Sequence, residues 1–235
     1  MFQALWAPTW RSGIGVLMSF GLVQFTGLIN AQFATAGQSA SYLMGLRLIQ
    51  LISSFSQAPF YSKLALLPRL RGEGRHSEMM QVAERGMRLS LWVYVLGVMV
   101  CGLVGRAAFE LIRSNVAFPS QLLWLLIGVT FLVERYGAMH LNLYSTTNRI
   151  IAHIANGATG LLCLAAMLLL WQWWGLIGLP LGLLFGYLAF YGWYPAMHSY
   201  REFGMPFLRF EFRTTVGPAA CLAIYGIYAM SQGPG

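Results

Sequence analysis

The chain has 235 residues, of which 57% are hydrophobic and only 9% charged, with a mean hydropathy of +0.61. Soluble domains carry about 25% charged residues, so composition excludes most soluble functions and indicates an integral membrane protein. The net charge of +8 is spread between apolar runs rather than gathered on one face, which argues against a nucleic-acid partner and for topology signals and contacts to anionic membrane lipids.

Residues 1–10 (MFQALWAPTW) hold two tryptophans and a proline and read as an interfacial lead-in. The first predicted span is 11–34, since about 20 apolar residues cross a bilayer. It is longer than the apolar core of a signal peptide, about 7–15 residues, and is expected to be retained. Ser12, Ser19, Thr26 and Asn30 fall on one of its faces. The second span, 39–67, has Arg47 among leucines. At 100° per residue Arg47, Gln50, Ser54, Gln57 and Tyr61 share a stripe about 80° wide. Pro59 is expected to kink its end.

The most charged loop follows, and its latter part, Met79 to Leu89, is amphipathic and expected to lie on the membrane surface. Spans three to six are predicted at 89–104, 121–144, 150–171 and 176–197. The fourth carries Glu134, Arg135, His140 and Asn142, and the fifth carries His153 and Asn156. The sixth carries Gly178, Gly182 and Gly186 at i, i+4 and i+8, a ridge that lets a neighbouring backbone approach. After a cytoplasmic linker, 214–230 is a candidate seventh span. The expected fold is therefore all-α, a polytopic membrane bundle of six transmembrane helices or seven.

Eleven basic residues, from Arg11, Lys63 and Arg69 to Arg209 and Arg213, then fall on one side, against Arg106 and Arg113 on the other. The positive-inside rule makes the first side, and the N-terminus, cytoplasmic. Cys101, Cys163 and Cys221 lie in separate apolar runs without ligand spacing, so neither a disulfide framework nor a metal site is expected. No Gly-Lys pair exists for a phosphate-binding P-loop, and no cofactor is expected.

An arginine at bilayer depth costs roughly 2.5–3.5 kcal/mol on insertion scales, so it faces a partner or a wet cavity. For Arg47 two readings stand: a structural pair with Glu134, or a cavity cation whose planar donor fork suits phosphate. Arg135 lies beside Glu134, but neighbours on a helix point about 100° apart and pair poorly. The candidate cavity set is Arg47, Gln50, Gln57, Glu134, Arg135, His153 and Asn156. Glu134 with His140 or His153 is a candidate proton carrier.

Four stretches, WRSGIGVLMSFG (10–21), SYLMGLRLIQLISSFSQAPFYSKL (41–64), RGMRLS (85–90) and ERYGAMHLNLYSTTNRIIAHIANG (134–157), resemble the C-terminal half of bacterial Wzx-like polysaccharide flippases of the multidrug/oligosaccharidyl-lipid/polysaccharide exporter superfamily. The resemblance implies one lobe of a two-lobed, alternating-access transporter of the bacterial inner membrane. Its implied substrate is an anionic undecaprenyl-diphosphate-linked oligosaccharide, and no enzyme activity is implied. The chain has length for one lobe, so the cavity would be completed by a missing N-terminal lobe or a second protomer. A non-catalytic assembly subunit is the alternative. An intramembrane enzyme fits less well, because the chain offers neither a rhomboid-like nucleophile motif late in the core nor the large outer loop of a sugar polymerase.

Overall fold

The computed structural model describes residues 35–231, together with Gly13, Gly21, Thr26 and Gly27 ahead of them. The lead-in at 1–10, and Ser12, Ser19 and Asn30 of the first expected span, lie outside the described residues. Every regular element among the described residues is helical. In order they are α1 (Ala36–Tyr61), α2 (Leu66–Gly72), α3 (His76–Leu111), α4 (Gln121–Ser145), α5 (Ala152–Trp174), α6 (Gly178–Gly186), α7 (Tyr194–Phe203), α8 (Phe207–Thr214) and α9 (Val216–Ser231). A single 3₁₀ turn (Gly175–Ile177) precedes α6, and a π-helical turn (Tyr187–Tyr191) follows it.

Three stretches are long and apolar enough to cross a membrane: α3, α4, and the run Ala152–Phe203, which contains a reversal at Gly175. Gly175 has φ +54°, a left-handed conformation that costs glycine nothing. The 26-residue α1 has the length of a span but not the hydropathy, because its polar stripe dilutes the apolar run. α9 is apolar but spans only 16 residues.

α1 begins at a capping box: Thr35 Oγ1 accepts from the Gln38 amide while the Gln38 side chain accepts from the Thr35 amide. Tyr42, Leu46, Ile49, Ser53, Ser56 and Phe60 recur every three or four residues and form its buried face. That face meets α3 in antiparallel fashion, with Phe60 against Gly86 and Ile52 against Gly97. α3 answers with Met79, Ala83, Met87, Leu91, Tyr94 and Val98, the same period. The amphipathic stretch from Met79 to Leu89 is therefore not a separate surface helix. It is the first part of a continuous 36-residue α3, its apolar stripe buried against the bundle rather than laid on lipid.

α4 is the hub, packing on α1, α3, α6, α7 and α9. Ser120 caps it by accepting the Leu123 amide. Two buried hydrogen bonds fasten it to α3: Tyr94 donates to Gly128 O (2.8 Å) and Trp124 Nε1 donates to Val98 O (3.1 Å). Ser199 Oγ donates to His140 O (2.9 Å), fastening α7. The glycine ridge of α6 packs on α5 as its spacing predicts. A Cβ on Gly182 would stand 2.5 Å from Met167 N, and one on Gly178 would stand 2.5 Å from Leu170 O.

At one end of the bundle Glu202 accepts from both Arg71 (2.8 Å) and Arg149 (3.1 Å), joining α2, the α4–α5 loop and α7. Arg213 reaches Glu84 at 3.5 Å. Arg71 and Arg149, which the charge pattern places on one side, are thus brought together on one carboxylate.

Candidate functional site

Arg135 stands fifteenth of the 25 residues of α4, about 21 Å along the helix from Gln121 at 1.5 Å per residue. Its side chain is only 4% exposed. The helix buries residues around most of its circumference, including Leu132, Gly137, Ala138 and Met139 on either side of Arg135. Gly137 lets the Tyr191 backbone and ring come close: an added Cβ would collide with both. The guanidinium is thus walled in by a helix hub, a tyrosine and the end of α1.

Its polar contacts are few. Nη2 lies 3.2 and 3.4 Å from the two Glu134 oxygens, longer than the about 2.7–2.9 Å of a strong charge-assisted bond. The Tyr61 ring lies under the guanidinium at 5.9 Å, within cation–π range. Nε and Nη1 are buried, and among the described residues neither has an acceptor in hydrogen-bond geometry. Arginine cannot shed its proton, so these donors stay charged and unmet. Tyr61 is held in turn by Asn142 Nδ2, which donates to its hydroxyl (3.0 Å) and to Ala138 O (2.8 Å).

The pairing differs from the sequence expectation. Glu134 pairs with its chain neighbour Arg135, not with Arg47, although adjacent helical residues diverge by about 100°. The long arginine stem bends back across that angle, which a short side chain could not do. Arg47 is exposed on α1 and makes no ion pair with a described residue. Gln50 and Gln57 are half-buried on the same helix, and Ser54 Oγ donates to Gln50 O (2.8 Å). The stripe lies along the flank of the buried face of α1, with exposed Leu51 and Phe55 on its other side. Only its last member, Tyr61, reaches Arg135.

His153 and Asn156 are half-buried on α5, which packs chiefly on α6 and not closely on α4. Glu134 and Arg135 stand on a different helix, α4. His140 is fully buried, its ring 4.6 Å from Tyr136, 5.4 Å from Tyr200 and 5.9 Å from Phe210. Among the described residues neither of its nitrogens has a hydrogen-bond partner, and no hydrogen-bonded relay of described residues runs from it to Glu134. Among the described residues no three His, Cys, Asp or Glu side chains gather as a metal-binding group.

A second polar centre escaped the sequence reading, which treated 201–213 as a linker. Glu211 of α8 accepts from the Tyr136 hydroxyl (2.5 Å) and from the Tyr200 hydroxyl. A signal was present: one carboxylate inside the aromatic run Phe207–Phe212, on a short helix with two arginines.

No family model, curated protein or solved structure matches this chain.

Proposed function

We propose that this chain is one lobe of a membrane transporter that moves an anionic, lipid-linked substrate. Within that class the reading is a flippase for undecaprenyl-diphosphate-linked oligosaccharide in the bacterial inner membrane, its N-terminus cytoplasmic. The observation that carries the reading is the Arg135 guanidinium, buried midway along the hub helix with Nε and Nη1 unmet. A half-satisfied cation in an apolar setting is matched by an acceptor-rich anion, and a diphosphate offers oxygens to both free nitrogens. Glu134 and Tyr61 hold the resting guanidinium in place until an anion competes for it.

Arg47, Gln50 and Gln57 then serve as the open side of the site, facing a second lobe or second protomer. His153 and Asn156 line the path further along, on the helix beyond α6. Residues from two lobes around one substrate are the usual arrangement of repeat-built transporters.

The test is binding of undecaprenyl diphosphate, undecaprenyl phosphate and uncharged undecaprenol to the purified chain by native mass spectrometry. The expected order is diphosphate, then monophosphate, then alcohol. Arg135→Gln should lower diphosphate binding about tenfold or more, the loss of a charged hydrogen bond of about 1.5–3 kcal/mol. Arg135→Lys should recover part of it. Equal binding of the alcohol and the diphosphate, or a folded Arg135→Gln protein that binds as wild type does, overturns the reading.

A further inference from the structure

On the face of α4 that carries Tyr136, an apolar groove of about 770 Å³ opens toward the surface. That volume lies within the roughly 300–1,000 Å³ of small-ligand sites. Leu132 and Val133 of α4 form its floor, Leu188, Trp193 and Met197 one wall, and Phe207 and Ala219 the other. Two charged side chains line it, Arg201 and Glu211. Neither is neutralised by a described residue: Arg201 is exposed without an ion pair, and among the described residues Glu211 accepts only from the hydroxyls of Tyr136 and Tyr200. They do not pair with each other, although Tyr200, the chain neighbour of Arg201, donates to Glu211.

We infer that this groove binds a zwitterionic aminophospholipid, with one acyl chain along the apolar floor, its phosphate at Arg201 and its ammonium at Glu211. Three observations converge on that occupant. The first is length. From Arg201 to Leu188 the chain runs 13 residues, about 20 Å at helical rise, comparable with the about 15 Å hydrocarbon depth of one leaflet. The second is position. α8 bears exposed Leu208 and Phe212 beside Arg209 and Arg213, the pattern of a helix lying in the headgroup plane. The third is charge. A purely anionic lipid would satisfy Arg201 but leave its phosphate near the unneutralised Glu211 carboxylate. A headgroup with one phosphate and one ammonium answers both.

An ammonium with N–H donors can hydrogen-bond the free side of the Glu211 carboxylate, which a quaternary choline cannot. The groove is therefore expected to prefer ethanolamine over choline as well as over glycerol headgroups. This inference stands apart from the Arg135 reading: the groove shares no lining residue with Glu134, Arg135 and Tyr61.

The test is native mass spectrometry of the delipidated, detergent-purified chain titrated with dioleoyl phosphatidylethanolamine, phosphatidylcholine and phosphatidylglycerol. Ethanolamine lipid should be retained about tenfold more strongly than the other two, the worth of one charged hydrogen bond. Glu211→Gln keeps an oxygen for both tyrosines and should abolish the preference for ethanolamine while leaving choline lipid unchanged. Arg201→Gln should weaken all three lipids alike. Equal retention of the three lipids by the wild type overturns the inference, as does a preference for phosphatidylglycerol, which would make this a site for anionic lipid. Because the wild-type comparison decides by itself, poor folding of a variant does not shelter the idea. A folded Glu211→Gln protein that still prefers ethanolamine also refutes it.

Discussion

Gly182→Ala tests the packing that holds α6 against α5. An ideal Cβ at this position meets Met167 N at 2.5 Å and Met167 Cα at 2.6 Å, against ordinary contact from 3.4 Å. The obstacle is helix backbone, not the end of a flexible side chain, so the two helices must part by about 0.9 Å, the shortfall between those distances. Overpacking of this kind costs about 1–3 kcal/mol, and a rigid neighbour puts it at the upper end. Alanine returns up to about 1 kcal/mol through its better helix propensity, leaving a net loss of about 2 kcal/mol. For a chain of this size that lowers the melting temperature by about 4–8 °C. Gly157→Ala supplies the control of opposite sign. It lies in α5 with nothing within 4 Å of an added Cβ, so only the propensity gain remains. A thiol-reactive fluorophore reports unfolding, since Cys163 is fully buried beside Gly186. If both variants melt at or above the wild-type temperature, the α5–α6 backbone contact is not as close as described.

Two further outcomes follow from the polar end of the bundle. Glu202→Gln removes the charge shared by Arg71 and Arg149; its carboxylate is partly buried, so the loss should be about 1 kcal/mol and the melting temperature should fall. An Arg71→Gln, Glu202→Gln double mutant that is merely the sum of the singles would show that the pair contributes no coupling. Outside the stretches long and apolar enough to cross a membrane, hydrogen bonds from Arg69 and then Arg75, aided by their charges, hold the Glu73 carboxyl below its ordinary value. A depressed carboxyl contributes stability above its unfolded value, about 4.3, and loses it as pH falls through the lower folded value. Amide-exchange protection over residues 73–75, corrected for intrinsic rates, should therefore hold at pH 6 and decline below about pH 4. Flat protection down to pH 3 would sink that account.

Apolar periodicity and glycine spacing were legible because they act locally. α4 runs Gln121–Ser145 against an expected 121–144, and the Gly178, Gly182 and Gly186 ridge meets the neighbouring backbone as its four-residue spacing requires. What did not show was partner choice. The stripe on α1 was visible, but whether Arg47 or Tyr61 met the Glu134–Arg135 pair depends on how far α1 lies along α4, which no local pattern encodes. The surface helix expected at Met79–Leu89 failed for a similar reason. An amphipathic period reports that one face is buried, not whether lipid or protein buries it, and here Phe60 and its neighbours on α1 do so. Glu211 was missed because its meaning comes from Tyr136, 75 residues earlier in the chain.

Within α4 the contrast among polar residues bears most directly on function. Thr130 donates to Leu126 O, Asn142 to Ala138 O and the Tyr61 hydroxyl, and Ser145 to Leu141 O. Local carbonyls thus settle the uncharged groups of the hub helix. His140 is also unmet, but it is ringed by Tyr136, Tyr200 and Phe210, and an imidazole can sit there neutral. Arg135 has no such exit. Replacing a buried ion pair by apolar side chains of similar volume is often neutral or stabilising by about 1–4 kcal/mol. A helical fold shaped for stability alone would therefore do as well with methionine or leucine at 134 and 135. On the proposed function, the acceptors for the two nitrogens that find none among the described residues come from an anion that arrives from outside the fold.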